Sequence, residues 1–445
     1  MSVDVIIRGG QVVTSDGARR ADVAIADERI VAVGEVADSA RHEIDATGLH
    51  VFPGVIDPHV HFNEPGRTDW EGVATGSSAL AAGGGTLYFD MPLNSSPPVL
   101  DGATFDAKVA ASSGKAYADF ALWGGLTPDN LDKLDELADR GVVGFKAFMC
   151  DSGIAEFPAA DDYTLYRGMQ IAAQRGLVVA VHAENDAITS GLTADARRRG
   201  ATDIGDYLAS RPEFTEVEAI RRAITIAEGA GCKLHVVHVS THAGAWAVRR
   251  SQGHQDVTFE TCPHYLLLTV DDLPALGAAG KCAPPLRPRS DRDHLRQYAY
   301  LADVTFVASD HSPAPAAMKT GDNYFDIWGG IAGVQSTLPA LLTINPPVQL
   351  DRVARLTSTA AAERFGIAGK GMVAPQCDAD LTLVDLSETY KLRRDELLDR
   401  HRLSPYVGRR FRGRVRRTIL RGQTVFQDGK IVGEPIGRLV KPART

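Results

Sequence analysis

Cysteine is scarce in this chain and nowhere arranged for cross-linking. The five present, Cys150, Cys232, Cys262, Cys282 and Cys377, are odd in number, widely scattered and free of any C-x-x-C pair. That spacing excludes a disulfide framework and a thiolate zinc site, and leaves mostly buried, reduced thiols as the expectation. Long apolar runs are also missing. Hydrophobic residues make up 44% of the chain, yet no stretch approaches the ~20 apolar residues that a membrane-spanning helix requires. No membrane partner is expected. Positive charge is in deficit, with 48 Lys and Arg against 56 Asp and Glu for a net charge of −8. Phosphate binding needs a concentrated basic surface, so no nucleic-acid partner is expected either. The one basic stretch, Arg409 to Arg417, reads as a solvated face or a subunit contact. Met1-Ser2-Val3-Asp4-Val5-Ile6-Ile7-Arg8 lacks the basic region, apolar core and cleavage site of a secretory signal, which makes the cytoplasm the expected location.

What is present divides into two textures. Residues 3–14 and 22–34 read as short strands broken by Gly and Asp-Glu turns, and the same texture returns at Asp380–Asp385 and at 418–433. Two β-rich ends around a long middle predict a small β-sandwich domain assembled from both termini, residues 1–50 and 370–445. Between them, over 51–369, apolar runs alternate with helix-like stretches. The runs are VFPGVIDPHVHF (51–62), GTLYFDM (85–91), DFALWGGL (119–126), GVVGFKAFM (141–149), LVVAVHAE (177–184), KLHVVHVS (233–240), DVTFETCPHYL (256–266) and VTFVASDHS (304–312). Continuous apolar strands alternating with helices imply a parallel sheet buried on both faces, and eight of them imply a (β/α)8 TIM-type barrel. No short-period repeat competes with this α/β reading.

Residues able to do chemistry recur at the C-terminal ends of these runs, where a TIM-type barrel builds its active site. His59 and His61 alternate on the first strand, so the two-residue period aims both imidazoles to one side. Alone, an H-x-H is as readily a pair of structural histidines. His182 ends the fifth run, His238 the sixth and Asp310 the eighth, and metal-type ligands at equivalent topological positions are hard to explain as packing. Lys146 lies within Gly144-Phe145-Lys146-Ala147-Phe148-Met149, where a buried ammonium must shift its pKa or find a partner. A snorkelling surface lysine fits poorly in a strand buried on both faces.

Gly54-Val55-Ile56-Asp57-Pro58-His59-Val60-His61, followed by one lysine, two later histidines and an aspartate, resembles the cyclic amidohydrolases of the amidohydrolase superfamily. The resemblance covers essentially the whole chain. It implies two divalent metal ions, usually zinc, bridged by a CO2-derived carbamate on Lys146. One metal would take His59, His61 and Asp310, the other His182 and His238. Carboxylation would also answer the burial problem, turning an unpaired ammonium into an anion neutralised by two cations. Within the superfamily the chain is similar to the allantoinases, on His61-Phe62-Asn63-Glu64-Pro65-Gly66-Arg67, Asp90-Met91-Pro92-Leu93-Asn94-Ser95, Gly144 to Cys150, and Cys262-Pro263-His264-Tyr265-Leu266. Lys281-Cys282-Ala283-Pro284-Pro285-Leu286-Arg287, Ser309-Asp310-His311-Ser312-Pro313 and Trp328-Gly329-Gly330-Ile331-Ala332-Gly333 agree. Asn63 stands where dihydroorotases place an arginine, and Asp151 where dihydropyrimidinases place a tyrosine. Gly84-Gly85-Thr86-Leu87 departs from the pattern, with an effect expected on packing rather than chemistry.

The resemblance implies hydrolysis of the hydantoin ring of (S)-allantoin to allantoate by a hydroxide shared between the metals, in a homotetramer. Asp310 is the expected general base and acid, its alternative being a metal ligand with no proton role. Asn94, Asp151, Ser152, Ser312 and His264 are candidate substrate contacts, as are the backbones of Ala283 and Gly330. For His264 a structural role is the weaker reading; for His242 it is the stronger, and His311 stands between. Two alternatives remain: a hydantoinase or dihydropyrimidinase with other loops, and a non-catalytic assembly protein on the same scaffold. The second would be expected to have lost ligands, whereas all six positions are filled here.

Overall fold

In a computed structural model, which describes residues 3–301 and 303–443, the apolar runs form parallel strands. Val55–Val60, Gly85–Asp90 and Asp119–Leu122 pair in that order. Gly124–Gly125, Gly144–Phe148, Val178–His182, Lys233–Val236, Val257–Thr261 and Phe306–Val307 continue the series. The third strand crosses from one set to the other at Trp123. The eighth returns to the first through His311, whose carbonyl accepts from the His61 N–H at 2.8 Å and which bridges Val60. The ring is thereby closed as an eightfold barrel. Because both faces of each strand are covered, side chains of either alternation are buried, as in the wholly buried Val178–His182.

Three runs are shorter as strands than the sequence suggests. The seventh ends at Thr261, because Pro263 has no N–H for a ladder and a φ suited to a helix start; Pro263–Leu267 is a short helix carrying His264. The sixth ends at Val236 and the eighth at Val307. Beyond these two ends the chain turns through positive φ at His238 (40°) and Asp310 (45°), a conformation uncommon for side-chain-bearing residues.

Strands from both termini share one nine-stranded sheet. His50–Pro53 joins the halves, pairing in parallel with Gln11 and Val12 on one side and antiparallel with Leu381–Val384 on the other. Ile7, Val12, Val23, Ile25, Val51, Leu381, Leu383 and Ile419 fill its core, so neither terminal half completes this core alone. The outer ends assigned to this domain, residues 1–2 and 444–445, lie outside the described residues. The glycine-rich departure at Gly84 lies where sheet and barrel meet. Its φ is +91°, a Cβ there would stand 2.6 Å from Thr382 Cγ2, and its carbonyl accepts from Thr382 Oγ1. Only glycine permits that approach.

The basic strand Arg410–Leu420 is partly neutralised within the chain. Arg414 contacts Glu388 and Glu396, Arg416 contacts Glu388, and the preceding Arg409 meets Asp272 at 2.6 Å. All five cysteines are free and buried. No helix among the described residues is long and apolar enough to cross a membrane.

A buried charge cluster clasps sheet to barrel. Lys370 Nζ lies 2.8 Å from Asp119 at the start of the third barrel strand, 3.0 Å from Asp378 and 2.6 Å from Asp380, while Arg421 also pairs with Asp119. Burial opposes the Lys370 charge, but the three carboxylates outweigh it and raise its pKa. Removing one member of such a set strands the others without water. Lys370→Ala is expected to lower unfolding stability by about 3–5 kcal/mol, read from the urea midpoint at constant slope.

Candidate functional site

Five of the six sequence-predicted ligands have their side chains at the C-terminal mouth of the barrel lining one cavity of about 470 Å³, with Lys146 buried behind them. His59 Nε2 is 3.2 Å and His61 Nε2 3.5 Å from the same Asp310 oxygen, and ligand atoms of all three lie within 4.8 Å of one another. His182 and His238 form a second group, their ring centroids 4.6 Å apart, with His238 5.5 Å from His59. Lys146 sits between the groups, close enough for its charge to act on His61, His182 and His238 alike.

Lys146 is fully buried and its Nζ has no hydrogen-bond partner. The face of Phe148 lies 5.1 Å away, and burial, only partly offset by the charges of Glu260 and Asp310, lowers the lysine pKa to about 8. Burial likewise lowers His61 to about 4, and lowers His182 and His238, so these imidazoles are neutral and hold lone pairs. His238 Nδ1 is buried and unpartnered. Burial opposes ionisation of Asp310, but His59 and His61 outweigh it and hold the carboxylate ionised. Neutral imidazoles and an ionised carboxylate lining one cavity, with an orphaned lysine behind them, fit the coordination of divalent metal ions.

Three buried residues that sequence reasoning missed hold this arrangement. Glu260, on the seventh strand, meets His59 Nδ1 at 2.5 Å and His235 Nε2 at 3.1 Å, and accepts from the His238 backbone N–H at 3.3 Å. Burial raises its pKa, but the two histidines bring it down to about 2. Glu184 does the same for the second group, meeting His182 Nε2 at 2.8 Å. Its charge is supported by Arg211 Nη1 at 3.4 Å, and against the cost of burial its pKa is held at about 2. The signal that exposed Lys146, an ionisable residue in an apolar run, was equally present at Glu260 and His235.

Among the candidate substrate contacts, Asn94, Asp151, Ser152, Ala283 and Ser312 line the cavity. Ser152 Oγ also donates to Phe157 O at 2.7 Å and so shapes its own loop. Gly330 lies behind Ser312, its carbonyl taken by Lys319 Nζ, while the adjacent Gly329 faces the cavity. His264 is buried beside Asp310 with neither ring nitrogen partnered, and burial lowers its pKa to about 4. His311 accepts from the Gly333 N–H at 3.1 Å and lies 3.4 Å from Glu71, which makes it a part of barrel closure. His242 stacks on His294 at 4.1 Å, apart from the cavity. Asn63 is fully buried with both amide atoms unpartnered and φ of 64°, and it does not line the cavity. Glu260→Gln, which keeps the shape but removes the charge orienting His59, is expected to cost roughly 10- to 100-fold in metal affinity, measured by competition with a chromogenic chelator.

The amidohydrolase family matches residues 50–425. Over 444 residues the chain is 55% identical to an allantoinase of Solibacter usitatus, covering 99% of this chain and 97% of that protein. It is also 55% identical to an allantoinase of Rubrobacter xylanophilus, over 99% and 98% of the two chains. Among solved structures, the L-hydantoinase (dihydropyrimidinase) of Arthrobacter aurescens superposes with a TM-score of 0.96 at 33% identity, covering 99% of this chain and 100% of that one. Full-length agreement in sequence with the first two and in backbone with the third leads to one assignment: the chain belongs to the amidohydrolase family and groups with its allantoinases.

Proposed function

We propose that the protein hydrolyses the hydantoin ring of (S)-allantoin to allantoate, as the names of its closely similar relatives suggest. The observation that carries the reading is Lys146, an orphaned buried amine between His59–His61–Asp310 and His182–His238. A carbamate on that amine would turn the misfit into a bridging anion, and zinc is the metal we propose. Two bound metals would supply Lewis acidity and a water nucleophile available near neutral pH.

The chain's own groups do the rest. Asp310 accepts a proton from the attacking water as its oxygen bonds to the ring carbonyl carbon. It returns that proton to the ring nitrogen as the carbon–nitrogen bond breaks. One carboxylate thus serves as base and then acid, leaving a product with a new carboxylate and two ureido arms. Asn94, Asp151, Ser152, Ser312 and the Ala283 backbone are proposed to hold the ring, with His264 stabilising the oxygen on which charge develops, and Gly330 completing the wall behind Ser312. The resemblance further supports a homotetramer, a cytoplasmic location and a division into residues 51–369 and 1–50 with 370–445.

The structural likeness to hydantoinases favours one competing reading, a cyclic amidase for simple rings. A substrate panel separates the two: allantoin should be opened fastest, and faster opening of hydantoin or dihydrouracil would reject the substrate assignment. Chelation should abolish turnover, and divalent metal with bicarbonate should restore it. Asp310→Asn protein that keeps its metals should lose about 10²- to 10⁴-fold in kcat; substantial retained turnover would remove Asp310 from proton transfer.

A further inference from the structure

Ring opening as proposed leaves the motif Glu64-Pro65-Gly66-Arg67, which follows the first strand, without a part. Three of its residues have packing roles. Glu64 accepts from the Val73 N–H at 2.9 Å and so caps the helix Val73–Ala82. Gly66 lies against the loop after the second strand: its φ is +89°, and a Cβ there would stand 2.1 Å from Ser96 O. Across the same seam the Ser96 N–H donates to Pro65 O at 2.9 Å. Arg67 differs from these. It does not line the cavity, yet its contacts tie it to residues that do.

Three routes leave its guanidinium. Nη1 donates to Asn94 O at 3.0 Å, a charge-assisted bond to a cavity-lining residue whose φ of 70° is uncommon away from glycine. Nη2 meets both oxygens of Glu156, at 3.1 and 3.3 Å, and the adjacent Phe157 carbonyl accepts from Ser152 Oγ at 2.7 Å. Cζ stands 5.4 Å from the ring centroid of Trp70. Trp70 packs edge-on against Trp328 at 4.9 Å, and Trp328 Nε1 donates to Ser312 O at 3.2 Å. One side chain behind the wall is thereby linked to Asn94, Ser152 and Ser312, on the loops after the second, fourth and eighth strands.

A planar fork of donors serves a carbonyl, a carboxylate and an aromatic face at once, which a compact ammonium does not. The Glu156 side chain is 44% exposed, so this ion pair adds little to stability, and its consequence is where the loops stand. We propose that Arg67 is a positioning residue for the substrate wall. It holds Asn94 in its left-handed backbone conformation and fixes Ser152 and Ser312 relative to it, touching neither substrate nor metal. Its effect falls on binding, because no route passes through His59, His61, Lys146, His182, His238 or Asp310. The inference rests on the proposed role of Asn94, Ser152 and Ser312 in holding the ring.

The test measures allantoin kinetics, metal content and thermal midpoint for wild type, Arg67→Met and Arg67→Lys, and for both substitutions repeated on Asn94→Ala. Arg67→Met should raise KM roughly 10- to 100-fold, with metal content unchanged and kcat altered by less than about threefold; Arg67→Lys should raise KM less. On Asn94→Ala the same substitution should cost at least about threefold less, since the residue it holds most directly no longer meets the ring. If Arg67→Met does not fold, Arg67→Lys carries the same comparison. A lower midpoint with unchanged KM, a loss carried by kcat, or an equal loss with and without Asn94 would overturn the positioning role. Wild-type protein that opens hydantoin but not allantoin would instead defeat the substrate assignment, and the same cycle run on hydantoin then decides the role of Arg67.

Discussion

The carboxylate of Glu260 is the constraint on which the mouth of the barrel depends. It is fully buried, so no water offsets its charge, and its oxygens must be met by the protein. They are met by His59 from the first strand, His235 from the sixth and the backbone of His238 just beyond it. One anion thus fixes the ring orientation of a metal-type ligand, ties three strands together and holds His238 in its unusual backbone conformation. Glu184 repeats the device for His182. Each half of the site therefore has an imidazole whose far nitrogen is held by a carboxylate, which directs the other nitrogen toward the shared centre.

Closure of the barrel and assembly of the site are one event. Asp57 accepts from the Ser309 N–H at 3.1 Å, and His311 accepts at its carbonyl from His61, so the eighth strand is seated on the first immediately beside Asp310. At the opposite end of the strands, the Lys370, Asp119, Asp380 and Arg421 cluster couples the barrel to the sheet made from both termini. The strained turns at His238 and Asp310 persist because these attachments over-determine them.

Much of this was legible in the chain. Eight apolar runs at helix-separated spacing fix the barrel, and a period of two puts His59 and His61 on one side. Lys146 declared itself by being charged where everything around it is apolar. Glu260 and His235 carry the same signature without pointing to one role, because an acid or an imidazole within a strand has many structural uses. The seventh strand is shorter than its apolar run, since Pro263 acts through its missing donor rather than through its hydropathy. Arg211 was out of reach, because it lies on no apolar run and matters only through Glu184.

The sequence by itself determined the architecture, the β domain built from both ends and the choice of six candidate ligand residues. These follow from local periodicity and from residue types at strand ends, which neighbouring positions suffice to express. Only the tertiary structure decided which carboxylate holds which imidazole, that His311 closes the barrel rather than facing the cavity, and that Glu184 and Arg211 each keep one polar atom unsatisfied. Those properties depend on burial and on partners far apart in the chain, 201 residues in the case of His59 and Glu260. A hydrogen bond's presence, and its absence, is defined only once the chain has closed around it.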